Sequence, residues 1–436
     1  MKFCLNNLSF IIFLIGFISF SQHNQWTLNE NETLQKEVYN SFFETKELLY
    51  ADLKDRHSRK IYKLMIEELD EFYDEFDKQF DDEKFVFDNR LYDYTNDVFQ
   101  KIVAANPEIA NAKGLLISKE TTLNAYSLPN GFIVVHIGLF YWLQNQDQMA
   151  SIIAHELGHN VLNHSLNHRT EMLIEENSRA SKKKLRKIKR SRKGKSIKAR
   201  EAFKSSLYAT SKYKRENEFQ ADSIGYHFIE NTVFDKNQII SSMELSSMYD
   251  SLQPVGLNAK TYMQLFDLKK QTFKEEWLEI EDLSNYNYDL LKSRFLKDSI
   301  ATHPDMEVRI ENLIQQFPNL ERNTNLKAET DFIELKKLAK MHRVVSLFED
   351  ELYSHSLYEC LYRIQNEDEI KYYTYWLGKN LNQLYHSRRD YTFNKHVSRI
   401  NPKNQSDSYM QFLSFLWNLS TPELETMAEH YNNTKD

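Results

Sequence analysis

His155-Glu156-Leu157-Gly158-His159 sets two imidazoles four residues apart, with a carboxylate directly after the first. On a helix, positions i and i+4 project from one face about one turn apart, the separation that lets two imidazoles bind a single metal ion. A carboxylate at position 156 can then reach a water on the ion's open coordination position, take its proton and pass it to a leaving amine. That chemistry is metal-assisted hydrolysis of a peptide bond. The five residues alone leave another reading open, two helix histidines that bind nothing.

A catalytic ion of this kind needs a third protein ligand, the fourth position being left to water. Downstream, in Arg215-Glu216-Asn217-Glu218-Phe219-Gln220-Ala221-Asp222, Glu218 and Asp222 stand at i and i+4 of a segment with helical patterning. Glu218 is the expected carboxylate ligand. Asp222 is expected to accept a hydrogen bond from the far nitrogen of a ligand histidine, fixing its tautomer and basicity. Glu216 falls on the other side of that helix and has Gln220, not an acid, at i+4. An ordinary solvated face is the alternative for the whole segment. His164 and His168 form another i, i+4 pair, but on a continuous helix His164 is half a turn out of phase with His155. Neither is expected to bind metal.

These side chains need elements to position them. Residues 28–110 carry apolar residues at helical spacing, Phe72, Phe76 and Phe80 among them. "GLLISKETTLNAYSLPNGFIVVHIG" then reads as two or three strands with a hairpin at Pro129-Asn130-Gly131. A helix is expected from Asp147, as its N-cap, to about His168, and another over 200–232. Ala154 and Gly158 form a small pair that would let a second element come close. From about Lys327 onward helix-compatible sequence continues with little Gly or Pro, without a clean 34-residue repeat. The expected fold is α+β, mainly helical with a small β-sheet, followed by a helical C-terminal domain.

Bulk properties agree. The 436 residues, 41% hydrophobic and 13% aromatic, suffice for two or three domains with real cores. A net charge of -7 argues against a general nucleic-acid binder. Near the N-terminus, Lys2, the 13-residue apolar run Leu8–Phe20 and the small residues Ser19 and Ser21 read as a cleaved secretory signal, residues 1–21. Thirteen residues are short of the ~20 that span a bilayer, an uncleaved anchor being the alternative. An exported, periplasmic location is expected. Cys4 would leave with the signal, so the mature chain keeps only Cys360 and can form no internal disulfide.

His155-Glu156-x-x-His159, Arg215-x-x-Glu218-x-x-Ala221-Asp222-x-x-Gly225, Thr302-His303-Pro304 and Arg309-Ile310-x-Asn312-Leu313 occur in that order. Together with "NAYSLPNGFIVVHIGLF" from Asn124 to Phe140, they resemble the gluzincin metallopeptidase family of the CAAX prenyl proteases, HtpX and BepA. The resemblance covers roughly residues 86–320, and the layout is closer to the exported, BepA-like branch than to the membrane-embedded members. It implies a compact, zincin-like α+β catalytic domain with one zinc ion per chain. His155, His159 and Glu218 would be the ligands and Glu156 the general base. His303 would come near the zinc, either to hydrogen-bond the developing oxyanion or to cap the open position; a loop residue that merely starts a helix is the alternative. Arg309 would hold local structure. The expected division is 22–85, an N-terminal helical region, 86–320, the catalytic domain, and 321–436, the helical C-terminal domain.

The expected substrate is polypeptide, bound in extended form along the strand at Asn124, Ala125 and Tyr126 through main-chain hydrogen bonds. A strand that only packs the core is the alternative. Lys182 to Arg200 holds 12 Lys or Arg in 19 residues and no acid. It suits peripheral contact with an anionic membrane, a charged lid over the cleft, or a solvated loop. Glu67 to Glu83, with 10 acids in 17 residues, suits the wet face of a helix. Two function classes follow: an exported zinc endopeptidase acting on misfolded or misassembled envelope proteins, or a chaperone-like assembly factor with minor proteolysis. The sequence names no partner for the C-terminal domain.

Overall fold

A computed structural model of the chain describes residues 27–110, 112–190, 215–251, 256–280, 306–322, 329–401 and 405–433. The expected signal segment, His303 and residues 191–200 of the basic run lie outside the described residues. Among the described residues the fold is α+β, mainly helical with one three-stranded sheet. It divides into two compact units, one formed by Leu28–Asp250 with Leu291–Lys337, the other by Ser251–Leu290 with Leu338–Asp436.

The first unit opens with helices α1 (Glu32–Arg56) and α2 (Arg59–Asp81), α1 being capped by the Asn31 side chain, which accepts from the N–H groups of Thr33 and Leu34. They run antiparallel, as the pairs Tyr39–Asp77, Thr45–Tyr73 and Tyr50–Asp70 require. Along α2 the buried positions are Ile61, Met65, Leu69, Tyr73, Phe76 and Phe80, one face of a 3.6-residue period. Glu67, Glu71, Asp74 and Glu75 take the exposed face. Phe72 sits half-buried at the margin between the two.

Helix α3 (Asn89–Ala105) leads into β1 (Gly114–Ser118), β2 (Ala125–Ser127) and β3 (Phe132–His136). The sheet order is β1-β3-β2, with β1 parallel and β2 antiparallel to β3. The β2–β3 hairpin turns on the expected Pro129-Asn130-Gly131, closed by Leu128 N–H to Phe132 O at 2.8 Å. Gly131 has φ +88°, a conformation open to glycine and costly for side chains. Leu116, Leu128, Phe132 and Val134 pack one sheet face onto Phe42, Tyr73, Phe76 and Phe80 of the helical hairpin. Among the described residues β2 pairs only with β3, so it is an edge strand.

After the short α4 (Gly138–Trp142) come α5 (Gln146–Val161), α6 (His164–Asn177), α7 (Arg179–Arg190), α8 (residues 215–230) and α9 (Gln238–Ser251). Two expectations need correction here. The N-cap of α5 is Asn145, whose side chain accepts the Gln148 N–H at 2.9 Å, and not Asp147, which lies in the first turn. The helix also stops at Val161 instead of running to His168. Asn163 adopts φ 51°, a left-handed conformation that Asn tolerates better than most residues, and α6 starts afresh at His164. Leu173 of α6 then packs on Leu53, Met65 and Leu69. Helix α10 (Ala259–Phe266) belongs to the second unit, while α11 (Met306–Gln316) returns to the first. The division at Lys337 and Leu338 falls within α12 (Thr330–Glu349).

The second unit is helical, with α13 (Tyr353–Gln365), α14 (Ile370–Arg389), α15 (Phe393–His396), α16 (Asp407–Asn418) and α17 (Thr421–Asn433). Its core joins Leu377, Leu381, Phe412 and Phe415 to Tyr262, Phe266 and Trp277 from residues before α11. Cys360 is a buried free thiol in that core. No described helix is long and apolar enough to cross a membrane.

Phe42 is fully buried, its ring 5.0 Å from Phe76 and 5.1 Å from Phe132. Phe42→Ala opens a cavity between hairpin and sheet and should destabilise the first unit by about 3–5 kcal/mol. Urea unfolding of the variant and the parent measures it; a loss under about 1 kcal/mol would mean the hairpin is not integral to the sheet's core.

Candidate metal centre and active site

Helices α5 and α8 meet where each carries a glycine. A Cβ added at Gly158 would stand 3.0 Å from Ala221 O and 3.2 Å from its Cα, and one at Gly225 would stand 3.1 Å from both N and Cα of His155. Larger side chains at such a crossing hold helix axes ~8–10 Å apart, and bare backbone lets them come closer. Ala154, the other half of the small pair, also lies against Gly225, its carbonyl carbon 3.3 Å from that added Cβ. The close approach sets the histidines of α5 directly against the carboxylates of α8.

The two histidine Nε2 atoms are 3.1 Å apart. Glu218 Oε2 is 3.6 Å from His155 Nε2, and Glu218 Oε1 is 3.8 Å from His159 Nε2. A tetrahedral zinc ion ~2.0–2.1 Å from each of three such atoms would keep them ~3.3 Å from one another, so the donor set has the right chemistry and the right size. Among the described residues, His155, His159 and Glu218 are the one group with this geometry. Glu216 is exposed, and His168 lies outside the group.

Behind the three candidate ligands stands a buried charge network. Asp222 Oδ1 is 2.9 Å from His155 Nδ1, the nitrogen turned away from the other ligands. Arg309 of α11 grips Asp222 with Nε at 2.8 Å and Nη2 at 2.5 Å, and its Nη1 reaches Glu218 Oε2 at 2.9 Å. Buried charges are tolerated when they are paired and hydrogen-bonded. Burial opposes ionisation of Asp222, yet the Arg309 guanidinium holds its carboxyl below the usual range. Burial likewise opposes a charged His155, but the Asp222 and Glu218 carboxylates outweigh it and push the imidazole up to about 10. A metal ion must displace that proton, so binding is coupled to its release. His159 goes the other way: burial, reinforced by the charge on His155, pushes it down to about 3.

Glu156 is buried on the sheet side of α5. Burial pushes its carboxyl up to about 7, against the pull of His155 and of a hydrogen bond from the Ser127 backbone N–H. That N–H belongs to the unpaired edge of β2. His136 N–H bonds Asn124 O at 3.1 Å and Leu128 N–H bonds Phe132 O, so the backbone groups of Asn124, Tyr126 and Leu128 turn inward to β3. Those of Ala125 and Ser127 therefore turn outward, by the alternation of an antiparallel pair. Of the three residues expected at the substrate strand, Ala125 alone offers its main chain at the edge; the Tyr126 side chain is 36% exposed.

Sequence reasoning missed three things. Ser127 becomes visible only once the register of β2 on β3 is known. The reach of Arg309 to both Glu218 and Asp222 needed the placement of α11. His164, weighed only as a metal ligand, has its Nδ1 2.8 Å from His159 Nδ1 and its Nε2 3.1 Å from Gln220 Oε1.

Zinc binding should separate these roles. Glu218→Ala should abolish stoichiometric binding, whereas Asp222→Asn should retain an ion bound ~10–100-fold more weakly, measured by competition with a chromophoric chelator. Unchanged affinity in both variants would show that the cluster does not hold the ion.

Over 69 residues, 16% of this chain, the sequence is 26% identical to a Vibrio cholerae protein described as a beta-barrel assembly-enhancing protease. The match spans only 14% of that protein's length. Far broader is the agreement with the family model described as peptidase family M48, whose members are zinc-dependent peptidases; it takes in residues 93–316, just over half of the chain. That span contains His155, Glu156, His159, Glu218, Asp222 and Arg309, and the chain belongs to peptidase family M48.

Proposed function

We propose that the chain is an endopeptidase that uses one zinc ion, held by His155, His159 and Glu218, to hydrolyse peptide bonds in extended polypeptides. The observation that carries the reading is the pair of imidazole Nε2 atoms 3.1 Å apart with the Glu218 carboxylate against both, one oxygen 3.6 Å from His155 and the other 3.8 Å from His159, and Glu156 following His155 directly. Bound zinc would supply Lewis acidity and favour ionisation of a water at its open position. The remaining work falls to the chain itself. Glu156, its carboxyl poised at about 7, takes the proton of the attacking water and delivers it to the leaving nitrogen. Asp222 orients His155, and Arg309 favours the ionised form of Asp222 and holds both Asp222 and Glu218 in place.

The substrate adds as a strand to the free edge of β2, antiparallel pairing being directed by the backbone groups of Ala125 and Ser127. Main-chain recognition of that kind suits unfolded or misassembled proteins of many sequences. When substrate takes up the Ser127 N–H, Glu156 loses that partner and is released toward the water. For His303, which lies outside the described residues, the family resemblance alone suggests a role as oxyanion donor or as cap of the metal's open position. The signal-like N-terminus supports export to the periplasm, and the local similarity to a beta-barrel assembly-enhancing protease supports envelope proteins as substrates. The basic run Lys182 to Arg200, whose first part forms α7, suits peripheral contact with anionic membrane.

Glu156→Gln keeps the fold and the ion but removes the base. Cleavage of unfolded casein by the mature protein should fall by two or more orders of magnitude at unchanged zinc content. Normal turnover by that variant would overturn the assignment. A second variant tests the edge strand. Ala125→Pro deletes an outward N–H at a position where an edge strand can accept proline, and should raise KM for the polypeptide with zinc content unchanged.

A further inference from the structure

We propose that His164 is a positioning residue for the metal centre, one link in a hydrogen-bond relay from Gln220 through His164 to His159 that fixes the metal-binding tautomer of His159. This rests on the reading of His155, His159 and Glu218 as ligands of one ion. His159 Nε2 faces His155 and Glu218, so its lone pair must be left free for the ion. The neutral ring then carries its proton on Nδ1, and Nδ1 must donate. The atom that receives it is His164 Nδ1 at 2.8 Å. His164 can accept there only if its own proton is on Nε2, and Nε2 is 3.1 Å from Gln220 Oε1, an acceptor. The direction of each bond thus dictates the next.

The local fold explains why a residue five positions beyond His159 can do this. On an unbroken helix the fifth residue lies ~140° around the axis from the first. Here α5 ends at Val161, Leu162 N–H and Asn163 N–H turn back to Gly158 O and Asn160 O, and Asn163 takes φ 51°. That turn swings His164 back over His159, their rings 4.9 Å apart and 73° inclined, where His164 is buried. Gln220 arrives from α8, two residues after Glu218, so the helix that carries the third ligand also orients the second. Both ligand histidines are thereby served from α8, His155 by Asp222 and His159 by Gln220 through His164.

Substitutions separate the relay from simple packing. In His164→Asn the amide oxygen can stand where imidazole Nδ1 stood and accept from His159, whereas His164→Gln offers its polar end farther out and His164→Leu offers nothing. Zinc affinity, read by chelator competition on the full mature chain, should fall ~10–100-fold for His164→Leu and His164→Gln and recover to within about threefold of the parent for His164→Asn. Gln220→Leu, at an exposed position, should weaken binding in the parent and have no further effect in the His164→Asn background, which no longer reaches Gln220. Thermal unfolding of the metal-free proteins accompanies the titrations, because a merely structural role would lower melting temperature in proportion to affinity without rescue by Asn alone. Equal affinity in all variants, or equal losses for Asn and Gln, would overturn the relay while leaving the metal centre intact. A parent protein that binds no zinc would overturn the metal reading and the relay with it.

Discussion

The site depends on how closely α5 and α8 approach. Gly158 against Ala221 and Gly225 against His155 leave no room for side chains at the crossing, so the backbones themselves set the separation. The 3.6 and 3.8 Å separations of Glu218 from His155 and His159 follow from that contact, because the histidines hang from one helix and Glu218 from the other. A helix pair held apart by ordinary side chains would put the carboxylate out of reach of an ion on the two imidazoles. The contact also has a cost, since it forces Glu218 and Asp222 together with His155 and His159 into one buried space.

Arg309 answers that cost. Two carboxylates in a buried crossing would repel, and one guanidinium bonded to both offsets that repulsion and holds the Asp222 carboxyl below its usual range. Charge and position are therefore solved by one side chain. The same economy runs through α8, which carries the candidate ligand Glu218, Gln220 against His164 and Asp222 against His155 within five residues. Glu156, hydrogen-bonded at the sheet edge, also feels the charges of His155, Glu218 and Arg309, but burial is the largest influence and raises its carboxyl to about 7, within range of a proton transfer near neutrality.

Much of this was legible in the sequence, and for physical reasons. Residue types at i and i+4 report a shared helix face whatever the tertiary fold, which is why spacing alone pairs His155 with His159 and Glu218 with Asp222. The turn at Pro129-Asn130-Gly131 and the buried stripe of α2 follow from equally local rules. What escaped depends on non-local geometry or on a single backbone angle. The left-handed Asn163 ends α5 early, and that one angle turns His164 from an out-of-phase residue into a neighbour of His159. Capping by Asn145 and not Asp147 is a shift of two residues between two good cap formers, decided by which side chain reaches Gln148 N–H. Tyr262, Phe266 and Trp277 join the core of the second unit, a pairing across long sequence separation that no local pattern announces.

The central claim is that one zinc ion sits between α5 and α8 on two imidazoles and one carboxylate. Zinc X-ray absorption of the purified mature protein tests it most directly. The account predicts one ion per chain with two histidine nitrogens and oxygen donors completing about four ligands at ~2.0–2.1 Å, and loss of the histidine signature in a chain whose third ligand has been removed. Sulfur in the coordination shell, an all-oxygen shell, or a histidine signature unchanged after that removal would contradict it.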